Sequence, residues 1–454
     1  MEHLTLQEIA NAVKGNLTQQ CTKEVLSVST DTRTIQPGCL YIAIEGERFD
    51  GHEFILDAFA AGAVAAISSK PIETKQPLIL VENTKVAYGK LAAYYRSLFP
   101  VFVVGVTGSV GKTSTKEMIY TVMSEKYQVL KTQGNFNNDI GVPKTLLELH
   151  AQDTGAVIEM GMSALGEISY LSKLVKPDLG VITNIGVSHM EKLGSRENIL
   201  RAKLEILDGM KPDAKLILNA DNDKLIQMKD VLKERALYFG IEQPADVTAK
   251  EIHQVEDGTE FIICYQQKEY PAVLPVIGIH NVYNALSGFL VGIEIGLTPN
   301  QIIKSYLNYQ NSGMRQRVRE YNGIKVIEDC YNASPDSMQA AIGVIGSISC
   351  SGRRIAVLGD MLELGEQSAK MHHQVGEMAA KAGLDEILCY GTEALHIFEG
   401  AKQVNYGKCF HFLNRENMVS YIKELIQPGD AIIFKASRGM KLEQVIEQLF
   451  PKNR

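Results

Sequence analysis

Nowhere in this 454-residue chain are two cysteines spaced as CxxC. The seven cysteines stand apart, at Cys21, Cys39, Cys264, Cys330, Cys350, Cys389 and Cys409. Such an odd, scattered set offers neither zinc-ligand spacing nor a disulfide framework, and reads as reduced thiols in a cytoplasmic protein. Positive charge is short as well: 46 Lys and Arg face 53 Asp and Glu, a formal net charge of −7. No general attraction to nucleic acid or to an anionic membrane is expected, so any phosphate must be held by local devices. The most apolar run, residues 58–67, has about half the length that a helix needs to cross a bilayer, so no membrane insertion is expected. The first residues carry acids and no apolar stretch of the secretory kind, and no signal peptide is expected. Internal repeats of 20–50 residues and low-complexity tracts are absent too.

What is present is an ordinary globular composition, 45% hydrophobic and 22% charged, in a length that suits about three domains. In the first part, strands are expected at 39–44, 64–68 and 78–81, with a helix over 53–61. Val86, Leu91, Tyr94, Tyr95 and Leu98 suit an amphipathic helix over 85–99, which Pro100 stops. Next, an apolar strand over 101–106 runs into a glycine turn and a helix from about Lys112. Further buried strands at 156–160, 179–183 and 215–218 argue for a parallel sheet covered on both faces. Residues 245–277 read as an antiparallel appendage, and a helix over 280–295 closes the unit. In the last part, strands at 325–328, 355–358, 386–389, 411–413 and 431–435 alternate with helices such as 335–345 and 368–382. That is a doubly wound α/β pattern, and without a GxGxxG turn a dinucleotide role is not expected. The expected chain is α/β in three domains: a small N-terminal α/β domain (1–84), a P-loop parallel-sheet domain (85–312) and a C-terminal Rossmann-like domain (313–454).

The chemistry is carried first by Thr107-Gly108-Ser109-Val110-Gly111-Lys112-Thr113-Ser114, lying between a strand and a helix. Glycines let backbone N–H groups turn toward phosphate, and the helix N-terminus adds positive potential. Lys112 would reach the β- and γ-phosphates, and the Thr113 hydroxyl would ligand Mg²⁺. The general P-loop pattern wants glycine at position 106; here Val106 stands there and the glycine is Gly105. No guanine-reading Asn-Lys-x-Asp occurs, which favours ATP over GTP.

This loop resembles the TGxxGKT variant of the Mur ligases, relatives of the folylpolyglutamate synthases. Further segments resemble that family in order: Gly134 to Pro143 with Asn137 and Asn138, Glu159 at a strand end, Thr183 to His189, Lys203 in a helix, and His280-Asn281 with Asn284. The resemblance implies that Glu159 serves Mg²⁺ and that His189 lies near a second metal. It also implies a carbamate on Lys203 and adenine contacts from Asn281 and Asn284. Ser29, Thr30, Asp31, Arg33, Gly46, Asp50 and His52 resemble the uridine-nucleotide domain shared by the last two amino-acid-adding members. Asn137 and Asn138 are expected at the substrate.

The segment 328–338, with Asp329, Tyr331 and Asn332, and the segment 358–365 resemble the member that adds D-alanyl-D-alanine. So do Met314-Arg315-Gln316-Arg317 and Lys435-Ala436-Ser437-Arg438, although Gly439-Met440-Lys441 then departs from the family's usual alanine. The implied activity is ATP-dependent ligation of D-alanyl-D-alanine to a UDP-linked muramoyl-tripeptide through an acyl phosphate, by a monomer with two Mg²⁺ sites. Arg315 would balance γ-phosphoryl charge after the third domain closes, and Asp329, Tyr331 and Asn332 would touch the nucleotide. Two alternatives stay open: the ligase that adds the third amino acid, and an ATP-driven binding protein without ligase chemistry.

Overall fold

A computed structural model describes residues 2–46, 49–255, 258–311, 313–404 and 406–451. Residue 312, the expected end of the middle domain, lies outside them. Among the described residues, three larger sheets follow one another along the chain, beside a two-stranded pairing of Leu4–Thr5 with Glu24–Val25. The first has strands Asn16–Leu17, Leu78–Leu80, Ala63–Ser68, Cys39–Ile42 and Ser27–Ser29 in that spatial order. Successive side chains of a strand point to opposite faces, and both faces here are apolar. Leu40, Ile42, Ala65 and Ile67 pack toward helix Leu6–Val13, while Cys39, Tyr41 and Ala66 pack toward helix Ile55–Ala60. Helix Leu6–Val13 was not expected, yet its start was legible. Thr5 and Glu8 form a reciprocal capping box, the S/T-x-x-E signature that precedes an apolar run.

Helix Thr84–Ser97 joins the first sheet to the second. Asn83 caps it by accepting from the Val86 N–H. The buried stripe is Ala87, Tyr88, Leu91, Ala92 and Tyr95, whereas Val86 and Leu98 are 44% and 47% exposed. Two of the five positions expected on the inner face therefore lie outside it.

In the second sheet, strand Phe102–Thr107 lies between Gly155–Glu159 and Leu179–Ile182, all parallel. Lys215–Asn219 and Ala236–Gly240 continue on one side, and Val129–Lys131 forms the other edge. The expected appendage is present as Val247–Val255, Gly258–Tyr265 and Lys268–Leu274, antiparallel to one another. From Phe102–Thr107 the chain goes to one edge, returns on Gly155–Glu159, then crosses to the other side. Strand order thus reverses at Phe102–Thr107, and the crevice beyond its carboxyl end is where such sheets bind ligands. Helix Lys112–Met123 rises from that crevice and packs on helix Ile279–Glu294 through Met118, Val122, Leu286 and Phe289.

The third sheet runs Arg317–Tyr321, Ile324–Asp329, Ala431–Lys435, Arg354–Gly359, Glu386–Tyr390, Cys409–Phe412, with only the first strand antiparallel. That first strand, which was not expected, is a hairpin closed by Asn322-Gly323, a dipeptide with a strong turn preference. No helix among the described residues is long and apolar enough to cross a membrane.

The inward stripe of the joining helix can be tested. Leu91→Ala should destabilise the fold by about 2–5 kcal/mol through the cavity it leaves, while Val86→Ala should stay within about 0.5 kcal/mol. Denaturant titration of both variants separates this stripe from the one expected on sequence grounds.

Candidate functional site at the glycine loop

Strand Phe102–Thr107 delivers the loop to the crevice, and Gly108 makes its sharp exit possible. Gly108 has φ +150°, and a Cβ there would stand 1.9 Å from the Thr183 hydroxyl. Asn184, from the neighbouring strand's exit, holds the loop open. Its Oδ1 accepts from the N–H groups of Ser109 at 3.1 Å and Val110 at 2.9 Å. The Thr183 hydroxyl donates to the Val110 carbonyl at 2.6 Å. Lys112 folds back over its own loop and donates to the Gly108 carbonyl at 2.9 Å and the Ser109 carbonyl at 3.4 Å. Burial holds the Lys112 pKa below the ordinary lysine range; Glu159 works against that shift and Arg315 adds to it.

Glu159 ends the adjacent strand and is buried. One of its oxygens accepts from the Thr113 hydroxyl at 3.0 Å and the other from the Asn137 amide at 2.8 Å. A hydroxyl and a carboxylate side by side are hard oxygen donors that suit Mg²⁺, which takes few protein ligands and completes its shell with water and phosphate. Among the described residues no cluster of three His, Cys, Asp or Glu side chains adds to them.

Lys203 is the residue that the fold changes most. Its helix, Arg196–Leu204, starts at the Ser195 cap much as expected, but the side chain is only 1% exposed. Burial pushes its pKa well below the lysine range, and the Lys112 cation pushes the same way. His189, in a left-handed turn, sets its Nδ1 3.0 Å from the Glu363 carboxylate of the third unit. Burial lowers the His189 pKa, Glu363 opposes this, and the charges of Lys112 and Lys203 reinforce it.

Two cavities meet at the loop. One, of about 320 Å³, is lined by Val110, Gly111, Ser114, Asn284, Arg315 and Asp329, and also by His280 and Lys435. The other, of about 340 Å³, is lined by Lys112, Asn137, Asn138, Glu159, His189, Arg315, Tyr331 and Asn332. The expected groups therefore separate. Asp329 and Asn284 face the first cavity, while Tyr331 and Asn332 face the second. Asn281 lines neither; it braces Asn284 at 3.2 Å and the Ile277 carbonyl at 2.8 Å. The Thr107 hydroxyl is buried and finds no hydrogen-bond partner among the described residues. The expected uridine-site residues stand apart on the first unit. Ser29 ends a strand, with Thr30 next to it. Arg33 pairs with Asp31, whose carboxyl is lowered to about 2 mainly by that contact. The Gly46 N–H donates to the Phe49 carbonyl at 3.0 Å. Asp50 holds His52 and Lys70.

Sequence reading missed Asn184 as a loop brace. It also missed Asp221, whose carboxylate accepts from three backbone N–H groups and from the Tyr283 hydroxyl beside the first cavity. Its position just past strand Lys215–Asn219, on the sheet's carboxyl edge, was the available signal.

A phosphate loop at a sheet's switch point, a buried carboxylate on its threonine, and cations from a following α/β unit define a multi-domain P-loop enzyme. Comparison with known proteins narrows this. The Mur ligase middle domain matches residues 106–292, the Mur ligase glutamate ligase domain matches 314–438, and the Mur ligase family catalytic domain matches 24–96. The UDP-N-acetylmuramoyl-tripeptide–D-alanyl-D-alanine ligase of Bacillus subtilis strain 168 is 40% identical, covering 98% of each chain. That of Escherichia coli K12 is 36% identical, covering 99% of each. A crystal structure of MurF from Acinetobacter baumannii superposes with a TM-score of 0.93 at 33% identity, covering 99% of each chain. MurF ligase from Thermotoga maritima in complex with ADP superposes at 0.84 with 30% identity, over 93% of this chain and 96% of that one. The chain belongs to the Mur ligase family.

Replacing Lys112 with Ala removes the loop's own cation from the place where phosphoryl charge develops. ATP-dependent turnover should fall by about 10²–10³, with an unchanged thermal transition. Near-normal turnover would show that the loop does not handle the phosphoryl group.

Proposed function

We propose that this chain is a cytoplasmic, monomeric ligase that joins D-alanyl-D-alanine to a UDP-N-acetylmuramoyl-tripeptide, cleaving ATP to ADP and phosphate. The observation that carries this reading is the placing of Arg315, which lines both cavities at once. The nucleotide's terminal phosphate then opens onto a second polar chamber, as phosphoryl transfer to a second substrate requires. The three units divide the work at 1–84, 85–312 and 313–454: the first holds the uridine end, the second the phosphates, and the third closes on both.

A carboxylate and an amine do not condense in water without activation. In the proposed reaction a terminal carboxylate oxygen of the tripeptide attacks the γ-phosphorus, the bond to ADP breaks, and an acyl phosphate forms. The neutral amine of the dipeptide then attacks the acyl carbon. The tetrahedral adduct loses a proton from nitrogen and expels inorganic phosphate, leaving the amide. Lys112 and Arg315 balance the charge on the transferring group. Thr113 and Glu159 would hold one Mg²⁺, which when bound withdraws charge from the phosphate oxygens. His189 and a carbamate on Lys203 would hold a second. The carbamate forms when the neutral lysine nitrogen attacks carbon dioxide and loses a proton. The lowered Lys203 pKa supports that step. Asn137 keeps Glu159 aimed, and Asn138 lies beside it on the substrate side.

Two measurements test the reading. Phosphate release should require UDP-muramoyl-tripeptide and D-alanyl-D-alanine together. Equal turnover with UDP-muramoyl-dipeptide and a diamino acid would assign the preceding ligation instead, and release needing no amine would indicate an ATP-driven binding protein.

The second concerns Lys203 alone. Lys203→Ala should lose most activity yet still bind ATP, and added short-chain carboxylate should restore part of the loss. Lys203→Arg should not be rescued, because its guanidinium stays charged and fills the space. Full activity in Lys203→Ala would remove the carbamate from the mechanism.

A further inference from the structure

Resting on the ligase reading above, the question is how the third unit holds the acceptor. D-Alanyl-D-alanine reacts through its amine, so its remaining handles are two methyl groups and one carboxylate. With the amine at the chamber of Lys112, Glu159 and His189, an extended dipeptide places that carboxylate about 7 Å further out. Burying an anion without a partner is costly, so a cation is needed at that distance.

The third unit brings cations to this edge of its sheet, among them Lys435, Arg315 and Arg438. Lys435 is buried and committed, at 3.0 Å from Asp329 and 2.7 Å from the Asn332 carbonyl. Arg315 stacks on Tyr331, 4.4 Å from the ring centroid, and is shared with the nucleotide cavity. The third is Arg438, which opens the turn Arg438–Met440 after strand Ala431–Lys435. That strand pairs in parallel with Ile324–Asp329, Lys435 opposite Asp329, so Tyr331 and Arg438 leave the same edge side by side. Burial raises the Tyr331 pKa, and the charges of Arg315, Glu159 and Arg438 also act on it, so Arg438 lies within electrostatic reach of a ring that lines the reacting chamber.

Arg438 is 54% exposed but fixed from behind. Its Nη1 lies 3.0 Å from Glu443 Oε1 and 3.7 Å from Met314 Sδ. Among the described residues its Nε–Nη2 edge makes no hydrogen bond, and that edge is a planar fork of the kind that grips a carboxylate with two parallel bonds. Beside it, the Leu362 N–H donates to the Ser437 hydroxyl at 2.9 Å, and the half-exposed Leu362 side chain lies over Gly439. Leu362 thus sets an apolar side chain against the residue that follows Arg438.

We propose that Arg438 anchors the C-terminal carboxylate of the acceptor dipeptide, with Glu443 positioning the guanidinium and Leu362 facing the terminal methyl. The test compares D-alanyl-D-alanine with its C-terminal amide at saturating ATP and tripeptide. The wild type should prefer the acid. Arg438→Gln should raise the acid's KM about 10- to 100-fold, the value of a charged hydrogen-bond pair, and abolish the preference, with the KM for ATP unmoved. Arg438→Lys keeps charge and packing and should fall between. The proposal is overturned if acid preference is undiminished in both variants, if acid and amide weaken equally, or if the KM for ATP rises instead. Wild-type phosphate release that ignores the dipeptide would overturn the ligase reading itself, and this assignment with it.

Discussion

A carboxylate at the end of a central parallel strand survives burial only if each oxygen finds a donor. Glu159 meets that condition through Thr113 on one oxygen and Asn137 on the other, and its own N–H donates to the Thr132 hydroxyl at 2.9 Å. These contacts tie the phosphate-loop helix, the 134–143 segment and the strand Val129–Lys131 exit to one point. The loop's geometry depends on it, because Thr113 is the second residue of helix Lys112–Met123. The chamber beyond also depends on it, because Asn137 and Asn138 form its wall. A negative group so placed attracts cations, and the fold supplies them from the loop itself and from the third unit.

That supply resolves an apparent conflict in the composition. A chain of net charge −7 must still accommodate a nucleotide and a carboxylate substrate. Long-range attraction cannot do this, and the structure uses local concentration instead. Lys112, Lys435 and Arg438 stand at the carboxyl ends of parallel strands or on the loops that leave them, and Arg315 comes from the segment that enters the antiparallel strand Arg317–Tyr321. Two separate sheets are turned so that these edges face each other, and Glu363 on His189 is a direct contact across the gap.

How much of this could be read in the chain divides along physical lines. Buried parallel strands announce themselves as continuous apolar runs, and nearly all were located to within a few residues. Short edge strands such as Asn16–Leu17 and Val129–Lys131 carry too few residues for any period to emerge. The face of helix Thr84–Ser97 was misjudged because Val86 and Leu98 are apolar but exposed, and only packing against Leu6, Ile9 and the first sheet selects the other stripe. The phosphate loop was legible because it couples a glycine turn and a lysine to a strand end, whereas Glu159 and the third-unit segments were singled out by their resemblance to the family. Asn184 was not singled out, because a brace bonds to backbone and has no composition of its own. The split between Asp329 on one cavity and Tyr331 on the other was not legible either. Alternate residues leaving a strand diverge, and sequence alone does not say what each then meets.

Lys203 is the extreme case of this limit. In a nine-residue helix rich in charge, nothing in the pattern separates an inward lysine from an outward one. Burial decides it, and its consequence is electrostatic. The Lys112 cation acts on Lys203, both act on His189, and two ammonium groups in a low-dielectric pocket cannot both keep their protons cheaply. Lys112 has compensation: the carbonyls of Gly108 and Ser109 accept its hydrogens, and Glu159 stands near. Lys203 has burial and Lys112 acting against its charge in the same direction. Nucleotide phosphate, replacing the loop carbonyls as the partner of Lys112, would fix that cation more firmly and deepen the asymmetry. Burial and the Lys112 cation thus both disfavour charge on Lys203, whereas Glu159 and the loop carbonyls favour it on Lys112.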